Sequence, residues 1–394
     1  MNLFSIFTNV AHKTLVAVDL PNLGSNQHEL NGVQALRAFF GTDERTHGII
    51  SWHYFADEQE PLQEKTDFTF YDARENHPTR TEWRLYYRGS FLGHADVGDR
   101  LFIARSQSGQ LFGLVFQRGS AWLRAAEAFF GSGTSTSHLD SVPRATLENQ
   151  ELELLRRQIL DELNLDIALP ASKTDEELML EKYGRVFPST KEMALFARSQ
   201  VEVDTNDADQ TLVRWLNREE ELFRALERVV IGERVKEGFE SVDEFIEYSL
   251  SVQNRRKSRM GFALQNHLAE LFTVHRLRFT PQARTEANNR PDFIFPGQDE
   301  YHDQAFDAAL LVMLGVKSTS KDRWRQVLTE ADRIPTKHLC TLEAGISVKQ
   351  TDEMKRQNLT LVVPISLHET YTADQREVML NIGRFIEFAR KKQL

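Results

Sequence analysis

The chain has 394 residues with the composition of an ordinary soluble globular protein and a formal net charge of −10 at pH 7. A chain of this length is too long for a single hydrophobic core, which predicts two or three domains. No apolar run reaches the roughly 18 residues that a membrane span needs. The single cysteine, Cys340, excludes a disulfide framework and a cysteine-rich zinc site. The acidic balance disfavours a protein that coats DNA without sequence preference and leaves a site-specific DNA enzyme open. Because the first residues also lack the pattern of a secretory signal, we expect a cytoplasmic protein.

Residues 13–130 carry short runs of aromatic and β-branched residues, which predict strands. The predicted strands are 13–20, 49–55, 66–71, 81–87, 100–105 and 110–117, with a helix-like interruption at 30–40. Residues 106–109, Ser-Gln-Ser-Gly, are typical of a hairpin connection between the last two strands. Many short strands joined by polar turns predict a closed or half-closed barrel.

Charged side chains alternate along the predicted strand 81–87 and its flanks. Period-two geometry places Arg80, Glu82, Arg84, Tyr86 and Arg88 on one face, with the residues between them on the other. Arginine can fork onto guanine or phosphate, and glutamate can accept a hydrogen bond from a cytosine amine. This face is therefore a candidate DNA-binding surface. The alternative is a solvated face with ion pairs across neighbouring strands.

Serine, threonine and glycine dominate residues 131–150, which predicts a linker. The pattern then becomes helical at 147–163 and 209–235. We interpret this middle region as a helical bridge that packs on the C-terminal domain and carries no chemistry. Farther along, Ser241 and Glu244 form a capping box that predicts a helix through residue 252.

A basic cluster follows that helix and consists of Arg255, Arg256, Lys257 and Arg259. A second helix is predicted to begin there and to continue to about residue 274. Basic residues that open a helix can hold phosphates through their side chains together with the terminal N–H groups. The alternative is an ordinary charged surface.

The remaining residues alternate between strand and helix patterns. Strands are predicted at 278–282, 292–295, 311–319, 338–342 and 360–365, and helices at 321–334, 348–357 and 372–391. This alternation predicts an α/β domain with a mixed sheet.

Three charged residues in this domain are the parts of a metal-dependent phosphodiesterase. Asp292 stands at the start of one predicted strand, Lys317 ends the next, and Glu330 lies on the following predicted helix. Phosphodiester hydrolysis needs a metal that gathers the phosphate and water. Magnesium is satisfied by two carboxylates and a backbone carbonyl, for which we expect Asp292, Glu330 and the carbonyl of Val316. Lys317 can neutralise charge on the phosphate or orient the attacking water.

The usual nuclease pattern has an acid two residues before the lysine, and Gly315 stands there instead. Glu330 follows the lysine by thirteen residues, and from its predicted helix its carboxylate could reach the vacated position. The alternative is a structural ion pair among Asp292, Lys317 and Glu330.

Several runs between residues 238 and 385 resemble the EcoRII-type restriction endonucleases. They are GFESVDEF, SVQNRRKSR, RPDFIFP followed by Tyr-His-Asp, VKSTSKDRWRQVLTEADRI and LVVPISLH. The resemblance implies a PD-(D/E)XK nuclease fold in which the second acid has moved to the helix. It also implies magnesium as cofactor and catalytic roles for Asp292, Tyr301, Lys317, Lys321 and Glu330.

In this and related families a basic-acidic-basic triplet reads adjacent C:G pairs in the major groove, which implies that role for Lys321, Asp322 and Arg323. Lysine and arginine can donate to guanine, and aspartate can accept from cytosine N4. We expect a palindromic target with CC/GG, of the CCWGG kind. Arg325 is an expected phosphate contact, together with the basic cluster at 255–259.

The N-terminal domain of EcoRII-type enzymes is a β-barrel of the plant B3 kind that binds a second copy of the site. Residues 97–102, Val-Gly-Asp-Arg-Leu-Phe, resemble a common B3 pattern. In this context Arg80, Glu82, Arg84 and Arg88 are the candidate contacts to effector DNA. Autoinhibition in the family, together with the linker, implies that deleting residues 1–150 would raise cleavage of single-site DNA.

The sequence therefore predicts a multidomain protein of mixed α and β structure. Its expected parts are a B3-like effector domain at 1–135, a linker and helical bridge at 136–237, and a PD-(D/E)XK endonuclease domain at 238–394. We expect a prokaryotic type II restriction endonuclease that acts as a homodimer through its C-terminal domain on double-stranded DNA, without a membrane partner. A cognate DNA methyltransferase encoded nearby is a further partner to test. The alternatives are a modification-dependent endonuclease, whose N-terminal domain reads a modified base, and a catalytically inactive DNA-binding protein.

Overall fold

The computed structural model describes residues 3, 6–21, 28–31, 33–40, 44–131, 137–143, 159, 163, 173–318 and 323–394, except the side chains of 173, 174 and 257. The chain divides into two compact units, residues 1–167 with 369–371 and residues 168–368 with 372–394. Within the described ranges no helix is both long and apolar enough to cross a membrane. The domain boundaries expected from the sequence, at 135/136 and 237/238, stay predictions.

The first unit is built on one mixed sheet of eight strands. The strands are β1 Phe7–Thr14, β2 Glu29–Asn31, β3 Thr46–Phe55, β4 Leu62–Asp72, β5 Trp83–Tyr87, β6 Arg100–Ser106, β7 Leu111–Phe116 and β8 Asp140–Ser141, and the helices are α1 Arg37–Phe40 and α2 Ala121–Phe130. The strand order is β2-β5-β4-β3-β7-β6-β1-β8, and only β3 and β7 run parallel. Among the described strands, β2 and β8 lie at opposite edges of this order. A closed barrel of the B3 kind therefore stays a prediction.

Most predicted strands of this unit are confirmed, with shifts at their ends, and the predicted hairpin joins β6 to β7. The predicted strand at 13–20 is wrong, because β1 ends at Thr14 and a 3-10 turn, Ala17–Asp19, follows. A buried ion pair between Lys13 and Asp19 (2.8 Å) closes this turn. The helix-like pattern at 30–40 is only partly helical, since its start belongs to β2.

The second unit combines helices with a five-stranded mixed sheet, as predicted. The helices are α3 Lys173–Tyr183, α4 Thr190–Ser199, α5 Ala208–Glu237, α6 Val242–Val274, α7 Gln298–His302, α8 Trp324–Val327, α9 Val348–Arg356, α10 Ala373–Val378 and α11 Ile382–Lys391, and the strands are β9 Thr280–Pro281, β10 Phe293–Phe295, β11 Val312–Lys317, β12 Lys337–Thr341 and β13 Leu359–Val362. The order is β13-β12-β11-β10-β9, in which β11, β12 and β13 are parallel and β10 is antiparallel to both neighbours.

Helix α6 covers this sheet through an aromatic contact. The ring of Phe272 meets those of Phe293 and Phe295 edge-on, each at 5.2 Å between centroids. Such aromatic pairs stabilise a core beyond the area they bury. At the start of α5, the carboxylate of Asp209 accepts hydrogen bonds from the N–H groups of Ile365, Ile382 and Gly383. The predicted bridge helix 209–235 is thus tied to the C-terminal end of the chain.

Three predicted helices differ from the structure. Ser241 is the N-cap, and its hydroxyl accepts from the N–H of Glu244, but the Glu244 carboxylate accepts from the N–H of Glu240, so only half of the predicted capping box is described. Helix α6 runs without a break to Val274, so no helix begins at the basic cluster. The predicted helix 321–334 is short, since α8 covers only Trp324–Val327. The predicted helix 372–391 is interrupted at Leu380, which pairs with Val362 and separates α10 from α11. Of the predicted linker at 131–150, residues 131 and 137–143 are described, and Asp140–Ser141 form β8. The predicted helix at 147–163 lies outside the described residues except for 159 and 163.

Candidate active site

Asp292 lies directly before β10 and is 6% exposed. Its Oδ1 accepts hydrogen bonds from Nε2 of Gln265 (2.7 Å) and of Gln282 (2.8 Å). Its Oδ2 accepts from the N–H of Val316 (2.7 Å) and lies 3.6 Å from Nζ of Lys317. The antiparallel pairing of β10 with β11 brings the acid and the lysine together, as the sequence predicted.

Gly315 explains why no acid stands two residues before the lysine. A Cβ at this position would lie 2.8 Å from Cγ2 and 3.0 Å from Cγ1 of Val327, which is fully buried. Helix α8 therefore packs directly on the backbone of β11 where a side chain would otherwise project.

Glu330 is half-buried and follows α8 in a bend. Its Oε2 is buried, and no hydrogen-bond partner for it occurs among the described residues. Burial raises the pKa of Glu330 to about 6, the Lys317 ammonium opposes that rise, and the Asp292 carboxylate adds to it. The three predicted residues therefore share one electrostatic site.

The backbone around Glu330 is held by buried and half-buried polar groups. Asn289 Nδ2 donates to the carbonyl of Thr329 (2.7 Å), and Lys337 Nζ donates to the carbonyls of Ala331 (3.0 Å) and Ile334 (2.9 Å). Ala331 has a φ of 55°, a left-handed conformation that costs energy for a residue with a Cβ. These bonds fix a strained segment at residues 329–334 that orients Glu330.

Tyr301, expected to be catalytic, contacts that segment and not Asp292. Its side chain is buried, and its hydroxyl donates to the carboxylate of Glu286 (2.6 and 2.8 Å). The N–H of Asp332 donates to the same carboxylate (3.2 Å), and Arg333 donates to the carbonyl of Tyr301. Burial and the bond to Glu286 raise the pKa of Tyr301, so its hydroxyl stays protonated and donates.

The donor set fits a hard divalent cation. Asp292 and Glu330 supply carboxylates, one oxygen of Glu330 lacks a described partner, and magnesium completes its shell with backbone oxygens and water. No cluster of three or more His, Cys, Asp or Glu residues that could hold a metal occurs in the described ranges. An ion here would rely on these two carboxylates together with the predicted carbonyl of Val316.

Comparison with known proteins assigns this part of the chain. Residues 223–386 match the family described as EcoRII C terminal. The type II restriction enzyme EcoRII of Escherichia coli is 42% identical over 230 residues, which cover 58% of this chain and 56% of that protein. The chain thus matches about half the length of this relative, and the resemblance seen in the sequence is confirmed for the EcoRII C-terminal domain.

Two solved structures have a looser likeness to the chain. Metal-depleted Ecl18kI in complex with uncleaved, modified DNA is 14% identical with a TM-score of 0.45, covering 55% of this chain and 83% of its own. The PspGI complex with substrate DNA is 14% identical with a TM-score of 0.44, covering 54% of this chain and 95% of its own. Likenesses of this size carry no conclusion about function.

Of the predicted base-reading triplet, the structure describes only Arg323. Lys321 and Asp322 lie outside the described residues, and Arg323 is exposed immediately before α8. Glu330 was predicted on the same helix as this triplet, and that prediction is wrong because α8 ends at Val327. Arg323 and Glu330 therefore do not share one helix.

The predicted basic cluster lies in the middle of α6, so terminal N–H groups are not available to it. Arg255 stacks over the ring of Phe187 (4.4 Å), and Arg256 pairs with Glu227 (2.8 Å). Arg259 is buried and pairs with Glu219 (3.3 Å), which removes it from solvent in this conformation. The side chain of Lys257 lies outside the described part.

Two further sets of predicted DNA contacts are engaged in ion pairs. Arg325 makes two bonds to the carboxylate of Glu353 (2.9 and 3.0 Å). In the first unit, the structure pairs Arg84 with Glu29 and Glu82, and Arg88 with Asp67, while Arg80 is exposed. The pairs to Glu29 and Asp67 reach neighbouring strands, as in the alternative interpretation, whereas Glu82 belongs to the same segment as Arg84. The effector-DNA role of these arginines stays a prediction.

Sequence reasoning missed the residues that hold the two acids. They are Gln265, Gln282, Glu286, Asn289 and Lys337. Only Gln265 had a usable signal, because helical spacing places it on the same face of α6 as buried Leu268 and Phe272. A polar residue on an apolar helix face needs a buried partner, and here that partner is Asp292.

Proposed function

We propose that this chain is a type II restriction endonuclease that hydrolyses phosphodiester bonds of double-stranded DNA at a short palindromic CC/GG site, of the CCWGG kind. The observation that carries the proposal is the match of residues 223–386, which contain Asp292, Lys317 and Glu330, to the EcoRII C-terminal family, alongside 42% identity to EcoRII over 230 residues. These residues meet at one site with the chemistry that phosphodiester hydrolysis requires.

In this proposal Asp292, Glu330 and the carbonyl of Val316 hold a magnesium ion. When bound, the ion supplies charge stabilisation for the phosphate and a water of lowered pKa. Lys317 keeps its ammonium beside Asp292 Oδ2 at 3.6 Å, where it can also neutralise a phosphate oxygen. Tyr301 acts through Glu286 on the segment that carries Glu330. Lys321, Asp322 and Arg323 read the C:G pairs.

We also propose that two copies act together, one on each strand, since a twofold dimer matches a palindromic site. The N-terminal domain, 1–135, is proposed as a B3-like effector domain of a type IIE-like enzyme that binds a second site and inhibits the catalytic domain until then. Adding an oligonucleotide with the target site should raise cleavage of a single-site plasmid by the full chain. Equal rates with target and scrambled oligonucleotides would oppose this effector role.

Cleavage of unmethylated phage DNA with magnesium, followed by sequencing of fragment ends, tests the main proposal. We expect one recurrent CC/GG palindrome at the ends. The Lys317→Ala variant should bind the same DNA and not cut it, because the lysine acts on the phosphate and is only 22% exposed beside Asp292. If the wild type does not cut DNA in the presence of magnesium, the proposal that the chain is an endonuclease is refuted. Cutting of methylated plasmid alone would instead indicate a modification-dependent endonuclease.

A further inference from the structure

Two glutamines hold one oxygen of the candidate metal ligand Asp292. Gln265 and Gln282 both donate through Nε2 to Oδ1, at 2.7 and 2.8 Å. They come from different segments, since Gln265 lies on α6 and Gln282 follows β9. Two neutral amide donors on one carboxylate oxygen orient the group without adding charge to the site.

Gln282 is attached to Asp292 twice. Its backbone N–H donates to the carbonyl of Asp292 (3.1 Å), while its side chain reaches the carboxylate. Its φ of 52° is left-handed, a conformation that costs energy for any residue with a Cβ. Strain of this kind is retained where surrounding structure demands it, often at functional sites. The strained backbone here lets one residue hold both the backbone and the side chain of Asp292.

Gln265 connects the same oxygen to the longest described helix. It is half-buried on α6, between the buried residues Leu264 and Leu268, with Phe272 two turns farther on against the sheet. Packing of these neighbours fixes the helix relative to β10. The amide of Gln265 is therefore presented to Asp292 by a rigid element.

The hydrogen bonds determine which oxygen of Asp292 remains available. A carboxylate offers about four acceptor positions. Oδ1 accepts two amide N–H groups, and Oδ2 accepts the N–H of Val316, which leaves one position on Oδ2. Lys317 Nζ lies 3.6 Å from that oxygen. The remaining position therefore lies on the oxygen nearest Lys317.

We propose that Gln265 and Gln282 form an amide clamp that positions Asp292 so that Oδ2 binds the divalent ion. They are positioning residues, because they act through Asp292 and not on the substrate. The proposal rests on the proposed magnesium-dependent function. Partners of this kind commonly change metal affinity or activity by 10–100-fold when they are removed.

The test uses full-length Gln265→Met and Gln282→Met, which keep side-chain length and remove the N–H donors. The probe is Mn²⁺ alone, with its binding followed by electron paramagnetic resonance without DNA. Each variant should bind Mn²⁺ about tenfold more weakly than the wild type. With DNA and magnesium, the concentration of magnesium for half-maximal cutting should rise, while metal-free DNA binding stays unchanged. Gln253→Met, an exposed position on the same helix, is the matched control and should match the wild type.

The outcomes separate the clamp from the function on which it rests. Mn²⁺ affinities of folded variants within twofold of the wild type would refute the clamp alone. A wild type that neither binds Mn²⁺ nor cuts DNA would refute the metal-dependent function and the clamp with it. If one variant does not fold, the other decides, since each glutamine contacts Oδ1 independently.

Discussion

Asp292 and Glu330 are two acids of one site in opposite surroundings. Asp292 accepts three hydrogen bonds of 2.7–2.8 Å, from two side-chain amides and a backbone N–H. Glu330 has a buried Oε2 without a described partner, and burial raises its pKa to about 6. Protein groups occupy three acceptor positions of Asp292 and leave one on Oδ2, whereas Oε2 of Glu330 has no described partner. The strand acid is therefore part of the framework, and Glu330 is the responsive half of the site.

The difference extends to the backbone. Asp292 stands at the start of a core strand, where the sheet fixes its position. The segment 329–334 has no strand partner among the described residues, and side-chain bonds from Asn289 and Lys337 to its carbonyls hold it instead. Removing the carboxylate of Asp292 should therefore destabilise the fold, and removing the charge of Glu330 should not.

The largest effect on stability is expected for Asp292→Ala. Losing the carboxylate leaves the buried N–H of Val316 and the half-buried amide of Gln265 without their acceptor, while the exposed Gln282 can bond water instead. An unsatisfied buried group costs about 1–3 kcal/mol, so we expect the free energy of unfolding to fall by about 2–3 kcal/mol. Denaturant unfolding without metal measures it. The exposed Asp299→Ala is the control, and an equal small loss in both would contradict the framework role.

Gly315→Ala tests why the second acid is not on the strand. The new Cβ would meet Cγ2 of Val327 at 2.8 Å, and overpacking of a buried contact costs about 1–3 kcal/mol. The measurement is again the free energy of unfolding. The double variant Gly315→Ala with Val327→Ala has no such clash. Its loss of unfolding free energy should therefore be smaller than the sum of the losses of the two single variants. Strictly additive losses would show that α8 is free to move away.

The strand half of this site was predictable and the segment half was not. Apolar runs ending at Phe295 and Lys317 predict two core strands, and adjacent strands bring Asp292 to Lys317. The predicted helix 321–334 fails because Ala331 is left-handed and tertiary hydrogen bonds, not helix propensity, hold residues 329–334. No pattern in the sequence indicates that Lys337, on the next strand, donates to carbonyls of this segment.

The basic cluster and the first strand show the same limit. Arg259 reads as a surface residue in a run of basic residues, but Glu219 from α5 pairs with it inside the unit. Lys13 extends an apolar strand pattern, but its buried pairing with Asp19 favours a turn. In both places the deciding partner is a charge whose location depends on the fold, which periodicity does not contain.

Glu330→Gln should raise the free energy of unfolding, whereas Asp292→Ala should lower it. The folded pKa of about 6 exceeds the ordinary 4.5, so ionisation of Glu330 costs nothing below pH 4.5 and its full penalty above pH 6. The amide removes that charge, and the variant should be more stable than the metal-free wild type by about 1–2 kcal/mol at pH 7.5. Unfolding at pH 4.5 is the internal control, where the two proteins should agree. A gain in stability that persists at pH 4.5 would show that it comes from packing and not from the removed charge. The variant should not cleave DNA at any pH.

The smallest expected effect is that of Tyr301→Phe, and it separates a positioning residue from a catalytic one. The variant loses the hydroxyl bond to Glu286, which also accepts from the N–H of Asp332, so the free energy of unfolding should fall by about 1 kcal/mol. Cleavage should fall by about tenfold with DNA binding unchanged, because Glu330 is held less firmly. A proton-transfer role would instead cost about 10²–10⁴-fold in rate. Tyr248→Phe on α6 is the control for loss of a hydroxyl. A rate loss in that larger range at unchanged stability would place Tyr301 among the reacting groups, and the segment around Glu330 would then depend on Asn289 and Lys337 for its support.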